Sequence, residues 1–374
     1  MVVGVTLSCR RSIHDFGNPP GVEWIRVYEN YFQGNAVEFT SNGGYAITGE
    51  THTSDRGEGK PFLLITNSSG DSVWTIVFEE YEEGSGRDVR QTIDDGYIMV
   101  GTSKSIGKDD ENIFCIRTDS IGNTIWAKKY AGDKTAYGSS IELTDDDGFI
   151  IAGATSSFGI GHENLYLMRI DENGEKLWER TYGEEFRSEA KDIRRTSDGN
   201  FIITGWIVMQ DYKVYLLKVD NEGNCIWSKK YGCDGNFGAG GWSVKETSDS
   251  GYVIIGDATE KSYIIKTDSL GDTLWMKEIG SDEAKTRCLS IEQTADGGYV
   301  ISGVVSSYIE KYSRNRWDIY VAKTDSIGGI QWAKSMGEQG MDYGCEVRQT
   351  KDSGYIIAGI LHGDMCLIKL KPEK

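Results

Sequence analysis

Proline and histidine are both scarce in this chain, at 4 of each in 374 residues. With 47 glycines beside so few prolines, the chain reverses direction through tight turns rather than stiff linkers. No stretch approaches the roughly 18 apolar residues that a membrane-spanning helix needs. The seven cysteines, Cys9, Cys115, Cys225, Cys233, Cys288, Cys345 and Cys366, form neither a CxxC pair nor a Cys/His spacing of the zinc type. The six that follow Cys9 are compatible with disulfides without establishing any. Positive charge is also short: 40 Lys and Arg stand against 58 Asp and Glu, a net −18. Such a surface repels phosphate backbones, which argues against nucleic acid and anionic membranes as partners. There is no nucleophile elbow and no phosphate-cradling glycine loop. His14, His52, His162 and His362 are spread thinly and read as exposed loop residues. The acidic runs Asp145-Asp146-Asp147 and Lys108-Asp109-Asp110-Glu111 lack calcium-loop spacing. No catalytic residue, metal ligand or cofactor is expected.

The N-terminal stretch Met1 to Cys9 is apolar and precedes Arg10-Arg11. It has the look of the back half of a bacterial lipoprotein signal whose cysteine takes the lipid, although the basic start is missing and Thr6 replaces an aliphatic residue. A short first strand or an unstructured tail fits the same residues. Residues 1–22 are therefore set apart as a tail or signal remnant, with Cys9 the one place where a membrane tether could attach.

What the chain has in quantity is a repeat. Tryptophans recur at Trp24, Trp74, Trp126, Trp178, Trp227, Trp275 and Trp332, spaced by 48 to 57 residues. Each is followed 21 to 25 residues later by an aromatic residue: Tyr45, Tyr97, Phe149, Phe201, Tyr252, Tyr299, Tyr355. Four residues on stands a glycine: Gly49, Gly101, Gly153, Gly205, Gly256, Gly303, Gly359. A threonine precedes each aromatic, from Thr40 to Thr350. Within one unit, Asp272 to Glu278, Leu289 to Thr294, Tyr299 to Gly303 and Ile319 to Thr324 alternate as strands do, and Asp-Gly turns separate them. No segment holds a helical period.

Four short antiparallel strands per roughly 50 residues is the signature of a β-propeller blade. The expectation is an all-β, seven-bladed β-propeller over residues 23–371, with four antiparallel strands per blade. The Trp24 strand lacks a preceding partner and the strand Met365 to Leu370 lacks a following one. Pairing the N-terminal strand into the C-terminal blade supplies both and removes two edges. The repeating tryptophans, Trp126 and Trp178 among them, are expected in the core. A further position alternates in sign: Glu38, Arg90, Glu142, Arg194, Lys245, Glu292, Arg348. Either neighbouring blades pair these charges or they line a wet channel singly.

The segments Thr118-Asp119-Ser120-Ile121-Gly122-Asn123-Thr124-Ile125-Trp126 and Val219-Asp220-Asn221-Glu222-Gly223-Asn224-Cys225-Ile226-Trp227 resemble the repeat of quinoprotein-type β-propellers. There an Asp, a turn Gly and a docking Trp close each blade. Six junctions share the pattern, with Asn67 in place of Asp at the first. The chain is also similar to a loose group of surface or secreted repeat propellers of bacteria and archaea, mostly without assigned activity. Quinoprotein enzymes usually carry eight blades, a calcium-bound quinone and adjacent paired cysteines. This chain has seven units and no Cys-Cys pair, so the resemblance implies the architecture and not the cofactor.

In such a fold the constant turns share one end of each blade and the variable connections the other, where recognition belongs. The longest variable segment, Ser306 to Asp318, gathers Tyr308, Tyr312, Arg314, Arg316 and Trp317. Trp206 and Trp242 flank neighbouring connections. Aromatic and arginine side chains dominate binding energy at interfaces. The expected function is non-enzymatic binding or scaffolding outside the cytoplasm, at the cell surface, in the periplasm or secreted. Its partner is a protein or glycan bound through Trp317, Arg316, Arg314, Tyr312, Tyr308, Trp206 and Trp242. The alternative is a polysaccharide-acting hydrolase or lyase with its site at the ring centre.

Overall fold

The computed structural model describes residues 2–3, 16–29, 32–53, 57–81, 83–104, 111–130, 132, 134–157, 159, 162–183, 187–232, 240–258, 261–280, 284–309, 314–337 and 341–373. At 2–3, 32, 52–53, 57–58, 307–309 and 314–316 it describes the backbone alone. Every element is a β-strand, and the strands form seven antiparallel sheets. The fold is a seven-bladed β-propeller.

The chain divides into two compact units. One runs through Asn35–Gly235 with Ala239–Gly241. It holds blade 1 (Phe32–Phe39, Tyr45–Thr53, Gly57–Thr66, Ser72–Val77) and blade 2 (Gly84–Gln91, Tyr97–Lys104, Glu111–Thr118, Thr124–Tyr130). Blade 3 follows (Ala136–Leu143, Phe149–Thr155, Asn164–Ile170, Lys176–Tyr182), then blade 4 (Ser188–Arg195, Phe201–Val208, Tyr212–Val219, Cys225–Tyr231). The other unit comprises Met1–Gly34, Asn236–Gly238 and Trp242–Lys374. It holds blade 5 (Gly240–Glu246, Tyr252–Ala258, Lys261–Thr267, Thr273–Ile279) and blade 6 (Thr286–Gln293, Tyr299–Ile309, Arg314–Thr324, Ile330–Met336). In blade 7, Tyr343–Gln349, Tyr355–Leu361 and Asp364–Leu370 are joined by Val22–Tyr28 from the chain's start, and Val2–Val3 adds a short fifth strand.

The pairing of the two ends is the one expected from the repeat. Val22 lies opposite Leu370 and Tyr28 opposite Met365. The Lys371 amide donates to Gly21 O at 2.9 Å. Phe16 exchanges two backbone hydrogen bonds of 3.0 Å with Ala333. Cys9 lies outside the described residues.

Strand position dictates burial. Every residue of Phe149–Thr155, Asn164–Ile170 and Tyr355–Leu361 is buried, because middle strands have protein on both faces and so read as continuous apolar runs. Fourth strands alternate with solvent. The repeating tryptophans sit on these fourth strands, and this corrects the expectation of a core role. Trp332 is buried, but Trp24, Trp74, Trp126, Trp178, Trp227 and Trp275 are only half-buried. Each is a docking residue with one face covered. Trp126 meets Phe149 of the next blade edge-on at 6.4 Å, and Trp275 meets Tyr299 at 6.0 Å. The Trp126 Nε1 donates to Glu172 O at 2.9 Å in the next blade's last turn. Blade 7 has no such turn, and Glu373 stands in: its carboxylate accepts from Trp332 Nε1 at 3.0 Å and from the Tyr355 hydroxyl at 2.5 Å.

The glycine four residues past each aromatic answers a bulge in the first strand. In blade 3 the register shifts between Gly138 and Ser140. A Cβ on Gly153 would lie 1.8 Å from Tyr137 O, so no side chain fits.

The turns repeat as strictly as the strands. Residues 40–44, 92–96, 144–148 and their equivalents join first to second strands, always five residues long. In them a threonine hydroxyl donates to the carboxylate two residues on, as Thr294 does to Asp296 at 2.5 Å. That carboxylate then takes a cation from the third strand. The pairs are Arg117–Asp94, Arg169–Asp146, Lys218–Asp198, Lys266–Asp249, Lys323–Asp296 and Lys369–Asp352, all within 2.9 Å. Blade 1 lacks both partners together, with Asn42 in the turn and Ile65 on the strand.

Candidate functional site

Because the strands of a blade alternate in direction, the five-residue turns share one end of each blade and the remaining connections share the other. Those remaining connections vary, from two residues in blades 5 and 7 (259–260, 362–363) to eight in blade 3 (156–163). The segment expected to be the longest loop is instead an extended hairpin. Ser306 pairs with Trp317, Ser307 with Arg316, Tyr308 with Asn315 and Ile309 with Arg314. Adjacent strand positions fall on opposite faces, so positions 316 and 317 belong to different sides of this ribbon. Trp317 is half-buried, and its carbonyl accepts the Asp342 amide at 3.0 Å. Tyr312 lies outside the described residues.

The expected residue that the structure surrounds most fully is Trp206, on the second strand of blade 4. Its indole Nε1 donates to Glu189 Oε2 at 3.1 Å, from the paired first strand. Glu189 is also bound by Lys191 at 2.5 Å. The Tyr212 ring lies 5.5 Å from that of Trp206 across the short connection, and Tyr212 and Met209 both face solvent. The Arg187 guanidinium lies 5.8 Å from the indole centroid. Glu163 of blade 3 fixes it by accepting from Nε at 3.0 Å and Nη2 at 2.6 Å. Tyr137 joins the group: burial raises its phenol pKa, and Glu111, Glu163 and Glu189 raise it further while Arg187 opposes them. The result is a half-open aromatic pair on a floor of neutralised charges.

Trp242, in the other unit, has an analogous setting. Its Nε1 donates to Asp257 Oδ1 at 2.6 Å, and Arg287 stacks 4.5 Å from its centroid. Sequence reasoning named both tryptophans but not the residues around them, Glu163, Arg187, Glu189, Tyr137, Asp257 and Arg287. These lie 15 to 69 positions away from their tryptophan, and only strand order brings them together.

The alternating charges follow a different rule from the one expected. Each arginine pairs first with an acid two residues earlier on its own strand: Arg90 with Asp88 at 2.5 Å, Arg194 with Asp192 at 3.0 Å, Arg348 with Glu346 at 3.1 Å. Pairing between blades is longer, Arg90 reaching Glu142 at 3.6 Å and Glu38 at 3.9 Å. The sequence carried the signal, since the blades bearing a glutamate have Ala36, Ser140 or Ser290 at that earlier position. Burial raises the carboxyl pKa of Glu142, against the pull of Arg90. Among the described residues, no group of three or more His, Cys, Asp and Glu is placed to hold a metal ion.

No protein-family model matches the chain, and no curated protein does. Solved structures are similar to it across most of its length. One is a polysaccharide lyase, an ulvan lyase bound to -[GlcA(1-4)Rha3S]-, with a TM-score of 0.60 at 9% identity over 92% of this chain and 96% of that one. YCF48 bound to D1 peptide gives 0.57 at 8% identity over 95% and 98%. The periplasmic gluconolactonase PpgL of Pseudomonas aeruginosa gives 0.56 at 11% identity over 84% and 89%. Such identities carry the fold alone. The chain is a β-propeller like these, and no family match ties it to the quinoprotein-type group.

Proposed function

We propose that this propeller is a non-enzymatic recognition protein that acts outside the cytoplasm and binds a glycan or protein through its variable connections. The observation that carries this reading is the half-open pair Trp206 and Tyr212, with Trp206 held by Glu189 and by Arg187, itself fixed by Glu163. A rigid aromatic pair gives contact area at small entropic cost, and the C–H face of a sugar ring fits it best. The hairpin of blade 6, with Trp317 and the backbone positions of Tyr308, Arg314 and Arg316, is a second contact region of the same reading, as is Trp242. Tyr312 belongs to it by sequence. Propellers of this fold appear bound to a peptide, to Semaphorin 1b and to a glycan, which supports either kind of partner. Lipid on Cys9 would supply the tether.

A glycan and peptide array probed with wild type, Trp206→Ala and Trp317→Ala tests the proposal. Trp206→Ala is expected to weaken the best ligand at least ~10-fold, a loss of about 1.4 kcal/mol. Equal binding by wild type and Trp206→Ala would move the site elsewhere. A second reading is a hydrolase or lyase acting on polysaccharide, with Glu189 and Glu163 beside the aromatic pair as its carboxylates. Turnover of an array glycan, abolished in Glu189→Gln, would replace the first reading with this one.

A further inference from the structure

Arg287 stands near the start of the first strand of blade 6, with about half its side chain in solvent (51%). Its guanidinium carbon lies over the Trp242 ring, 4.5 Å from the centroid and well inside cation–π range. Asp257, from the second strand of blade 5, holds both partners, taking Trp242 Nε1 on one oxygen and Arg287 Nε at 2.9 Å on the other. This tie uses only the Nε edge. The two terminal nitrogens have no protein partner among the described residues. They form the pair of parallel donors that matches the two oxygens of a carboxylate.

Arg180 also lies over a tryptophan, Trp178, and ties only its Nε, but to the Glu222 carbonyl and not to a carboxylate that holds the indole as well; several other arginines differ more. Arg187 spends Nε and Nη2 on Glu163. Arg117 and Arg169 turn to Asp94 and Asp146 at the opposite end of their blades, and Arg90, Arg194 and Arg348 face acids on their own strands. Fixing a free arginine costs rotamer entropy, and Trp242 and Asp257 have already imposed that order on Arg287. The chain's acidity does not forbid an anion here. Exposed charges are screened beyond about 10 Å at 0.1 M salt, and at contact the guanidinium dominates.

We propose that Arg287 is a carboxylate-reading subsite that takes a uronate of an acidic glycan, with Trp242 and Asp257 as positioning residues. A sugar fits better than an acidic peptide because the half-buried indole offers its apolar surface beside the cation, where a sugar ring carrying the carboxylate can pack. The inference rests on the reading of the chain as a glycan binder and adds the charge of the ligand.

Isothermal titration of the full chain separates the possibilities. The probes are a galacturonate trisaccharide, its carboxyl-reduced form, a sulfated neutral trisaccharide and a triglutamate peptide. Wild type is expected to bind the galacturonate best, and Arg287→Gln to bind it ~10-fold more weakly with the reduced form unaffected. Arg287→Lys keeps the charge without the fork and is expected to recover only part of the loss. A denaturant midpoint unchanged in both variants shows that the fold is intact. Equal affinity for acidic and reduced sugars, or an Arg287→Gln variant that binds like wild type, overturns the subsite and leaves glycan recognition standing. Tighter binding of the sulfated sugar or the peptide overturns the uronate assignment. If wild type binds none of the sugars here and no glycan on the array, the underlying reading falls and the subsite with it.

Discussion

An indole can lie against a turn only where the turn presents no side chain. Gly223 meets this need beside Trp178: its φ is +74°, and a Cβ there would lie 2.7 Å from the indole. Gly223→Ala therefore combines left-handed strain with a clash, and a loss of about 2–3 kcal/mol is expected in a urea titration. Trp178→Ala should cost a similar ~2–3 kcal/mol, below the roughly 3–5 kcal/mol of a fully buried indole. The sequence displayed the Trp, the aromatic and the glycine as landmarks in fixed order. It could not display that an indole such as Trp126 meets the aromatic Phe149 and the turn glycine Gly174 of the next blade, nor that the fourth strand leaves one side of the indole wet. Burial there depends on the neighbouring sheet, which no local pattern encodes.

At the scale of the element, the threonine–aspartate–cation clasp explains why so many first turns look alike. Lys323 is buried to 1% exposure, with Asp296, the Thr324 carbonyl and Gln331 around its ammonium. Asp296→Ala removes the only anion of the three, and about 2–3 kcal/mol of stability is expected to go with it. The double variant Asp296→Asn with Lys323→Ile imitates blade 1 and should be more stable than Asp296→Ala alone. A denaturant-based double-mutant cycle would measure the coupling. The turn and its glycine were legible, since Asp-Gly between alternating runs is a local signal. The cation was not, because Lys323 reads as one more alternating strand residue, 27 positions from its partner.

For the whole molecule, the clasps set the response to acid. Burial alone would raise the carboxyl pKa values of Asp249, Asp296 and Asp352, but the lysine and threonine hydrogen bonds outweigh it and hold them at about 2. An unfolded aspartate titrates near ~3.9. The unfolded chain thus binds these protons first, so the stabilisation is complete above about pH 4 and fades as pH falls towards 2. Glu142 and Glu292, raised mainly by burial, act with the opposite sign at higher pH. Thermal midpoints between pH 2 and 6 should fall most steeply below 4, and a flat profile there would contradict the clasp. Glu373→Ala, which strips two hydrogen bonds from Trp332 and Tyr355, should cost about 1–2 kcal/mol by the same measurement. Seven repeats and the missing partners at both ends made the architecture readable in full. The aromatic pair of blade 4 was readable only in Trp206, since its supporting charges come from strands that sequence alone does not order.

The joining of the two ends in blade 7 has a mechanical consequence. Val22 and Leu370 face each other at one end of the strand pair, so a pull applied through residues 21 and 371 acts at that end. The hydrogen bonds between Val22–Tyr28 and Asp364–Leu370 would then break one after another, as in a zipper, instead of sharing the load in shear. Pulled in this way, the seam parts at a smaller tension than a strand pair loaded along its length.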